Sequence, residues 1–345
     1  MKVNKKEAIL LQKAINDWSK EGKISTEQAN VLNESIEEVK FDWQGLAFYA
    51  FVLAIASIII SGVALLADKW LMQLFEKIVD ASEGYKAISF AVFSAALFFY
   101  GQRLRVSKPD SVYSHTALTL LGILTSGVSL GYLSVVFGGD THYSLFVFFA
   151  AVLYGFLGIY YNSNMLWIAA MVSLLLWFGT ASTHVSNGEP LFLGMNHVIR
   201  YIPFSIILIA ITLFSRNMAV VRPYYNYTFL FFTIVLFCSL WLTSVFGNQT
   251  SLVSWSAVSQ VNFLGWSLLF LVASVSSILI GKKYKMRLLI EIGIIFIILN
   301  IYTRYFEFGW ELMHPTVFFA FLGLSFWFIG KKAEKIWTIS SYKKI

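Results

Sequence analysis

Residues 143–180 read YSLFVFFAAVLYGFLGIYYNSNMLWIAAMVSLLLWFGT, without a single charged side chain. A helix needs about twenty apolar residues to cross the hydrocarbon core of a bilayer. This stretch is too long for one crossing. Its one cluster of polar residues, Tyr161-Asn162-Ser163-Asn164, falls near the middle. It therefore reads as two crossings, 143–161 and 164–180, folded back on each other through a tight turn. The fold class that follows is all-α, a polytopic membrane helix bundle.

Further apolar runs of near-spanning length flank this pair on both sides. They lie at roughly 44–67, 86–102 and 115–138 before it, and at 198–215, 227–246, 261–281, 286–303 and 315–330 after it. The reading is about ten transmembrane helices in a membrane domain over 44–330. The composition agrees: 58% of residues are hydrophobic, 17% are aromatic and 13% are charged, about half the charge of a soluble domain. The 32 Phe, 17 Tyr and 11 Trp suit helices that face lipid, with Trp and Tyr at the headgroups. All five prolines avoid helix centres, which argues against the mid-span breaks of ion-coupled carriers. Between the first two crossings, Trp70, Leu71, Leu74, Phe75, Ile78 and Val79 share one side of a helix over 68–85. That segment is expected either to lie in the outer interface or to pack on its neighbours.

A net charge of +7 invites a nucleic-acid reading, but the basic residues sit between apolar runs. With the N-terminus inside, the inner segments hold 21 of the 26 Lys and Arg. The outer side holds only Lys69, Lys77, Lys86, Arg200 and Arg304. This asymmetry places both termini in the cytoplasm, and no nucleic-acid partner is expected. The lipid bilayer is the expected surrounding. The chain opens on forty mixed-charge residues rather than an early apolar core, so a cleaved leader is not expected. The single cysteine, Cys238, lies in an apolar run and reads as a small buried side chain.

Residues 1–43 form a separate module. Ala8, Leu11, Ile15 and Trp18 follow a helical spacing, and Gly22 fits the end of that helix. Ser25 and Gln28 form a capping box that opens a second helix carrying Ala29, Leu32, Ile36 and Val39. The hairpin is a candidate interaction module, for a protein partner or for self-association, with Trp18, Gly22, Ser25, Gln28 and Leu32 as its marked positions. Residues 331–345 form a basic cytoplasmic tail.

Two polar groupings are candidates for function. Arg304, Glu307 and Glu311 stand three and four residues apart near the outer end of one span, with Asn300 one turn earlier and Glu291 nearer the inner end. Ionisable groups in a span mark functional sites until a structural partner is found. Arg304 with Glu307, and Glu291 with Arg287, can also be local ion pairs. The third crossing carries Thr116, Thr119, Thr125, Ser126 and Ser129, with Gly127 and Gly131 as a G-x-x-x-G. These residues suit either close helix packing or a polar cavity lining. The outer residues His142, His184, His197 and His314 come from separate loops without ligand spacing, so no metal centre is expected. No H-E-x-x-H, Walker A or G-x-S-x-G pattern occurs, and no cofactor or catalytic residue is assigned.

The run Trp18-x₃-Gly22-x-Ile24-Ser25-x-Glu27-Gln28-Ala29-x₂-Leu32 resembles the start of a family of bacterial membrane proteins, domain of unknown function 2157. Arg304-Tyr305-Phe306, with Trp310, Gly323 and Gly330, is similar to its C-terminal end. The resemblance covers the first forty residues and the last fifty. It implies a helical hairpin joined to a multi-span region in a bacterial inner membrane, and it supplies no catalytic residues. Three functions stay open: a transporter-like or channel-like protein for a small solute or lipid; a scaffold or sensor that works through the hairpin; and, with least support, an envelope enzyme on a lipid-linked substrate.

Overall fold

A computed structural model describes residues 2–3, 5–35, 37–38, 53, 57, 82–107, 112–139 and 143–342. Nearly all of the first expected crossing and most of the expected interfacial helix lie outside the described residues, as do Ile36 and Val39. The described fold is all-α apart from one very short strand pair. The chain divides into two compact units, Met1–Val136 and Phe137–Ile345.

The first unit begins with the hairpin of α1 (Lys5–Lys20) and α2 (Thr26–Glu34). Its turn is built by local chemistry. Gly22 adopts φ +70°, its N–H donates to Ser19 O (3.2 Å), and Lys23 N–H donates to Trp18 O (2.9 Å). This is a Schellman ending, which needs a left-handed residue at that position. Ser25 Oγ accepts from Gln28 N (3.1 Å), and Gln28 Oε1 accepts from Ser25 N (3.0 Å), completing the capping box. Ile15 and Ala29 are buried, whereas Trp18 and Leu32 stay substantially exposed.

The second helix is shorter than its apolar spacing suggests. It stops at Glu34, where the Ser35 hydroxyl donates back to Leu32 O (2.7 Å). That side chain offers the backbone an alternative to another helical turn. Lys2–Val3 (β1) then pairs in parallel with Glu37–Glu38 (β2). The unit's long helices are α3 (Glu83–Ser107) and α4 (Val112–Val136).

The second unit contains α5 (Tyr143–Tyr160), α6 (Asn164–Val185), α7 (Tyr201–Phe214), α8 (Tyr225–Phe246), a short α9 (Leu252–Ser256), α10 (Leu264–Lys283), α11 (Arg287–Leu312) and α12 (Pro315–Tyr342). Asn162, Asn187 and Lys285 adopt φ of 48°, 52° and 56° and end α5, α6 and α10 with the same pair of backbone bonds as Gly22. The polar tetrapeptide is thus the turn its composition indicates. Asn tolerates the left-handed region better than most residues.

Phe237, Leu240, Phe270, Ile292 and Phe296 form the core where α8, α10 and α11 meet. At Gly293 a Cβ would lie 2.7 Å from Ser274 O, so only glycine lets α10 and α11 approach this closely.

Among the described residues, seven helices are long and apolar enough to cross a membrane: α3, α4, α5, α6, α8, α10 and α11. Helix α7 and the apolar first half of α12 (Pro315–Phe328) are shorter. Every expected crossing after the first coincides with one of these helices, and the set fits a multi-pass membrane protein.

Candidate functional site

Four polar residues of α11, at 300, 303, 304 and 307, share one face of the helix. The structure finds a partner for each. Asn300 is buried and pairs with Ser267 of α10: Ser267 Oγ donates to Asn300 Oδ1 (2.8 Å) and Asn300 Nδ2 donates to Ser267 O (3.1 Å). Thr303 Oγ1 accepts from Trp241 Nε1 of α8 (2.9 Å).

Arg304 Nη2 donates to Glu307 Oε1 (2.9 Å) and to Ser244 O (2.9 Å), while Nη1 lies 2.5 Å from Glu307 Oε2. Both side chains are largely buried, at 15% and 13% exposure. Ser244 lies in the last turn of α8, where carbonyls lack intrahelical donors and the helix dipole is negative. A guanidinium there satisfies an orphan acceptor. The adjacent carboxylate keeps the charge from being buried alone, which would be costly. Glu307 also forms part of the wall of a groove of about 570 Å³, with Trp241, Trp255, Gln260, Tyr302 and Phe306.

The other candidates disperse. Glu291 pairs with Arg287 at 2.6 Å on an exposed face, where such pairs contribute about 0–1 kcal/mol. Glu311 lies on α11, but its side chain is outside the described residues.

In α4, Thr119, Thr125 and Ser126 donate to carbonyls of their own helix. Ser129 donates across to Ala87 O of α3 (2.7 Å), and Ser94 of α3 donates to Gly122 O (2.8 Å). Thr116 is half-buried on the same helix. Of these hydroxyls, Ser129 and Ser94 join the two helices.

Among the described residues, no neighbouring helix is in close contact with the G-x-x-x-G of α4. A Cβ at Gly127 or Gly131 would meet nothing within 4 Å among the described residues. The close approach is at Gly122, where Phe98 of α3 would lie 2.7 Å from an added Cβ. A bulky ring selects which small residue is covered, and the glycine spacing alone does not reveal that ring.

Sequence reasoning missed three features of the second unit. The first is Arg200, which is wholly buried (0% exposed). Its Nη1 donates to Ser182 Oγ (2.8 Å), its Nη2 donates to Pro190 O (3.1 Å), and its guanidinium lies 5.7 Å from the Phe192 ring centre. It ties the 186–200 loop to the end of α6. Burial lowers its pKa. Burial, followed by the charge of Arg200, also holds His197 below the ordinary imidazole value. The signal was available, since Arg200, like Arg304, is one of the five basic residues that the sequence reading assigns to the outer side.

The second is Asn196, whose Nδ2 donates to Gly247 O and Gln249 O, both at 3.0 Å, joining that loop to the end of α8. The third is a cleft of about 380 Å³ between the α5–α6 and α7–α8 pairs. Phe148, Val152, Met171, Leu208, Ile211 and Phe232 are among its walls. At one end it reaches Ser215, Met218, Val221 and Tyr225, beside the ring stack of Trp167 on Tyr224 (4.5 Å).

Among the described residues, no group of three or more His, Cys, Asp or Glu side chains could hold a metal ion. No protein-family model matches the chain, and no curated protein or solved structure is significantly similar to it.

The Arg304 clamp makes a quantitative prediction. Arg304→Met leaves the Glu307 carboxylate buried without its partner and is expected to destabilise the folded protein by about 3–5 kcal/mol. Combining it with Glu307→Leu is expected to recover most of that loss. Thermal unfolding of the purified single and double variants in detergent measures both. Additive losses would show that the two side chains are not one unit.

Proposed function

We propose that this chain is a transporter-like multi-pass protein of a bacterial inner membrane, acting on a lipid or a small amphiphile. In this reading it belongs to the domain-of-unknown-function 2157 family and has about ten crossings with both termini in the cytoplasm. The observation that carries the function is the cleft of about 380 Å³ walled by apolar side chains of α5, α6, α7 and α8. Its volume lies within the roughly 300–1,000 Å³ of small-molecule sites, and nearly all of its lining is hydrocarbon or ring. The polar groups that would line an aqueous pathway support the same choice: Arg304, Asn300, Ser129 and Ser94 are committed to helix–helix bonds.

The orientation has its own support. Arg216 and Arg222 lie in the connection after α7, and Lys282, Lys283, Lys285 and Arg287 cluster at the end of α10, in the turn after it and at the start of α11. The described basic residues assigned to the outer side are each engaged inside the protein. Lys86 pairs with Glu83 at 3.0 Å, and Arg200 and Arg304 are the buried ties described above. A charge satisfied by protein does not compete with the loop asymmetry that orients a membrane protein.

A second reading concerns the hairpin. Leu10 and Val31 are 71% and 65% exposed, and Trp18 and Leu32 are 44% and 40% exposed, which leaves apolar side chains of both hairpin helices available to a partner. We propose self-association through this surface as a second activity of the module.

Three outcomes are expected. Liposomes holding the full chain should exchange a fluorescent phospholipid between leaflets, scored by dithionite quenching, faster than protein-free liposomes or those holding Val152→Trp, which fills the cleft. Equal rates in all three would overturn the transport reading. A periplasm-dependent reporter should be active when fused after Gly188 and inactive after Lys285; the reverse pattern would overturn the orientation. Removing residues 1–40 should lower the oligomeric mass of the detergent-solubilised protein while the membrane domain still inserts. An unchanged mass would end the self-association reading.

A further inference from the structure

The cleft between α5–α6 and α7–α8 is apolar along its length and changes character at one end. There the segment joining α7 to α8 forms part of the wall through Ser215, Met218 and Val221. The same segment carries Arg216 and Arg222, both exposed. The Arg216 guanidinium lies 5.9 Å from the ring centre of Tyr225, itself a wall residue, so this charge sits at the rim. No carboxylate pairs with either arginine among the described residues. The sequence explains why: between Asp140 and Glu291 it holds one acidic residue, Glu189. Glu189 belongs to the 186–200 loop at the far end of α6 and α7.

Around the rim, ring and amide groups form an interfacial collar. Trp167 Nε1 donates to Thr228 Oγ1 (2.8 Å), Tyr224 Oη donates to Gly158 O (2.9 Å), and Asn164 Nδ2 donates to Tyr227 Oη (3.0 Å). Trp and Tyr at such a collar mark headgroup level in a bilayer. An occupant must therefore be hydrocarbon within the cleft and anionic where it emerges.

We propose that this cleft binds an acyl chain of an anionic phospholipid, with the phosphate held by Arg216 and Arg222. Guanidinium groups match phosphate oxygens in geometry as well as charge. Basic residues at an anionic membrane surface contribute about 1 kcal/mol each, which corresponds to about fivefold in affinity. The proposal rests on the lipid reading above and adds the headgroup to it.

The test is lipid retention by the full chain in detergent, followed by native mass spectrometry with phosphatidylglycerol and phosphatidylcholine of identical acyl chains. The wild type is expected to retain phosphatidylglycerol preferentially. Arg216→Gln and Arg222→Gln should each reduce that preference about fivefold. Lys283→Gln, an exposed basic residue after the cleft-forming helices, should leave it unchanged. Val152→Trp should reduce retention of both lipids.

Equal retention of the two lipids, lost in Val152→Trp, would overturn the anionic-headgroup proposal and leave the amphiphile reading standing. A preference lowered as much by Lys283→Gln as by the arginine variants would also overturn it, since the effect would then be that of general surface charge. Retention unaffected by Val152→Trp would overturn the proposal and the cleft reading together.

Discussion

In a helix surrounded by hydrocarbon, a polar group has no water to bond and must find its partner within the protein. That constraint orders this structure. In α4 and α8 it turns Thr and Ser hydroxyls onto carbonyls of the preceding turn, as at Thr119, Thr125 and Thr233. Where a donor reaches a neighbouring helix instead, it fixes how two helices meet. Ser129 and Ser94 join α4 and α3 from opposite directions, and Ser277 of α10 bonds Leu289 O of α11. Apolar contact between such helices has little driving force of its own in lipid, so close packing and these few bonds specify the arrangement. The arginines follow the same rule at larger scale. Arg304 completes the end of α8 and Arg200 completes the 186–200 loop, each through a carbonyl that its own segment leaves free.

What the sequence made legible was what is local. The turn at Asn162 could be read because runs of bilayer length flank it and because asparagine accepts the backbone that a helix reversal needs. The hairpin of α1 and α2 could be read because Gly22, Ser25 and Gln28 act within three or four residues of themselves. Arg304 and Glu307 were paired correctly for the same reason. What remained hidden depends on distant partners. Nothing around Arg304 indicates that its second acceptor is Ser244, sixty positions earlier. Nothing around Asn196 indicates Gly247. The glycines of α4 show the difference well: the close approach of Phe98 is at Gly122, which the G-x-x-x-G spacing of Gly127 and Gly131 does not mark.

The cleft was hidden for a further reason. It lies between two helical pairs, and a gap has no periodicity. Its walls, such as Phe148, Val152 and Ile211, look in sequence like any lipid-facing residues. Only its rim leaves a trace, in a long stretch almost empty of acidic residues that keeps two arginines in its middle.

These observations separate the charges of the second unit by role. Arg200 and Arg304 are enclosed by protein, and their positive charge is spent on carbonyls, a hydroxyl and one carboxylate. Arg216 and Arg222 are exposed and face no carboxylate among the described residues. A buried charge that is already satisfied offers a ligand little, because a newcomer would first have to displace partners that cost several kcal/mol to lose. An exposed guanidinium beside an apolar cleft has no such competition. The pair that composition brings forward as unusual, Arg304 and Glu307 near the end of a span, is therefore the one that ties α11 to α8. Under the proposed reading, the residues that look ordinary, two arginines in a short connection and the aliphatic and aromatic walls beside them, are the ones that meet a molecule from the membrane.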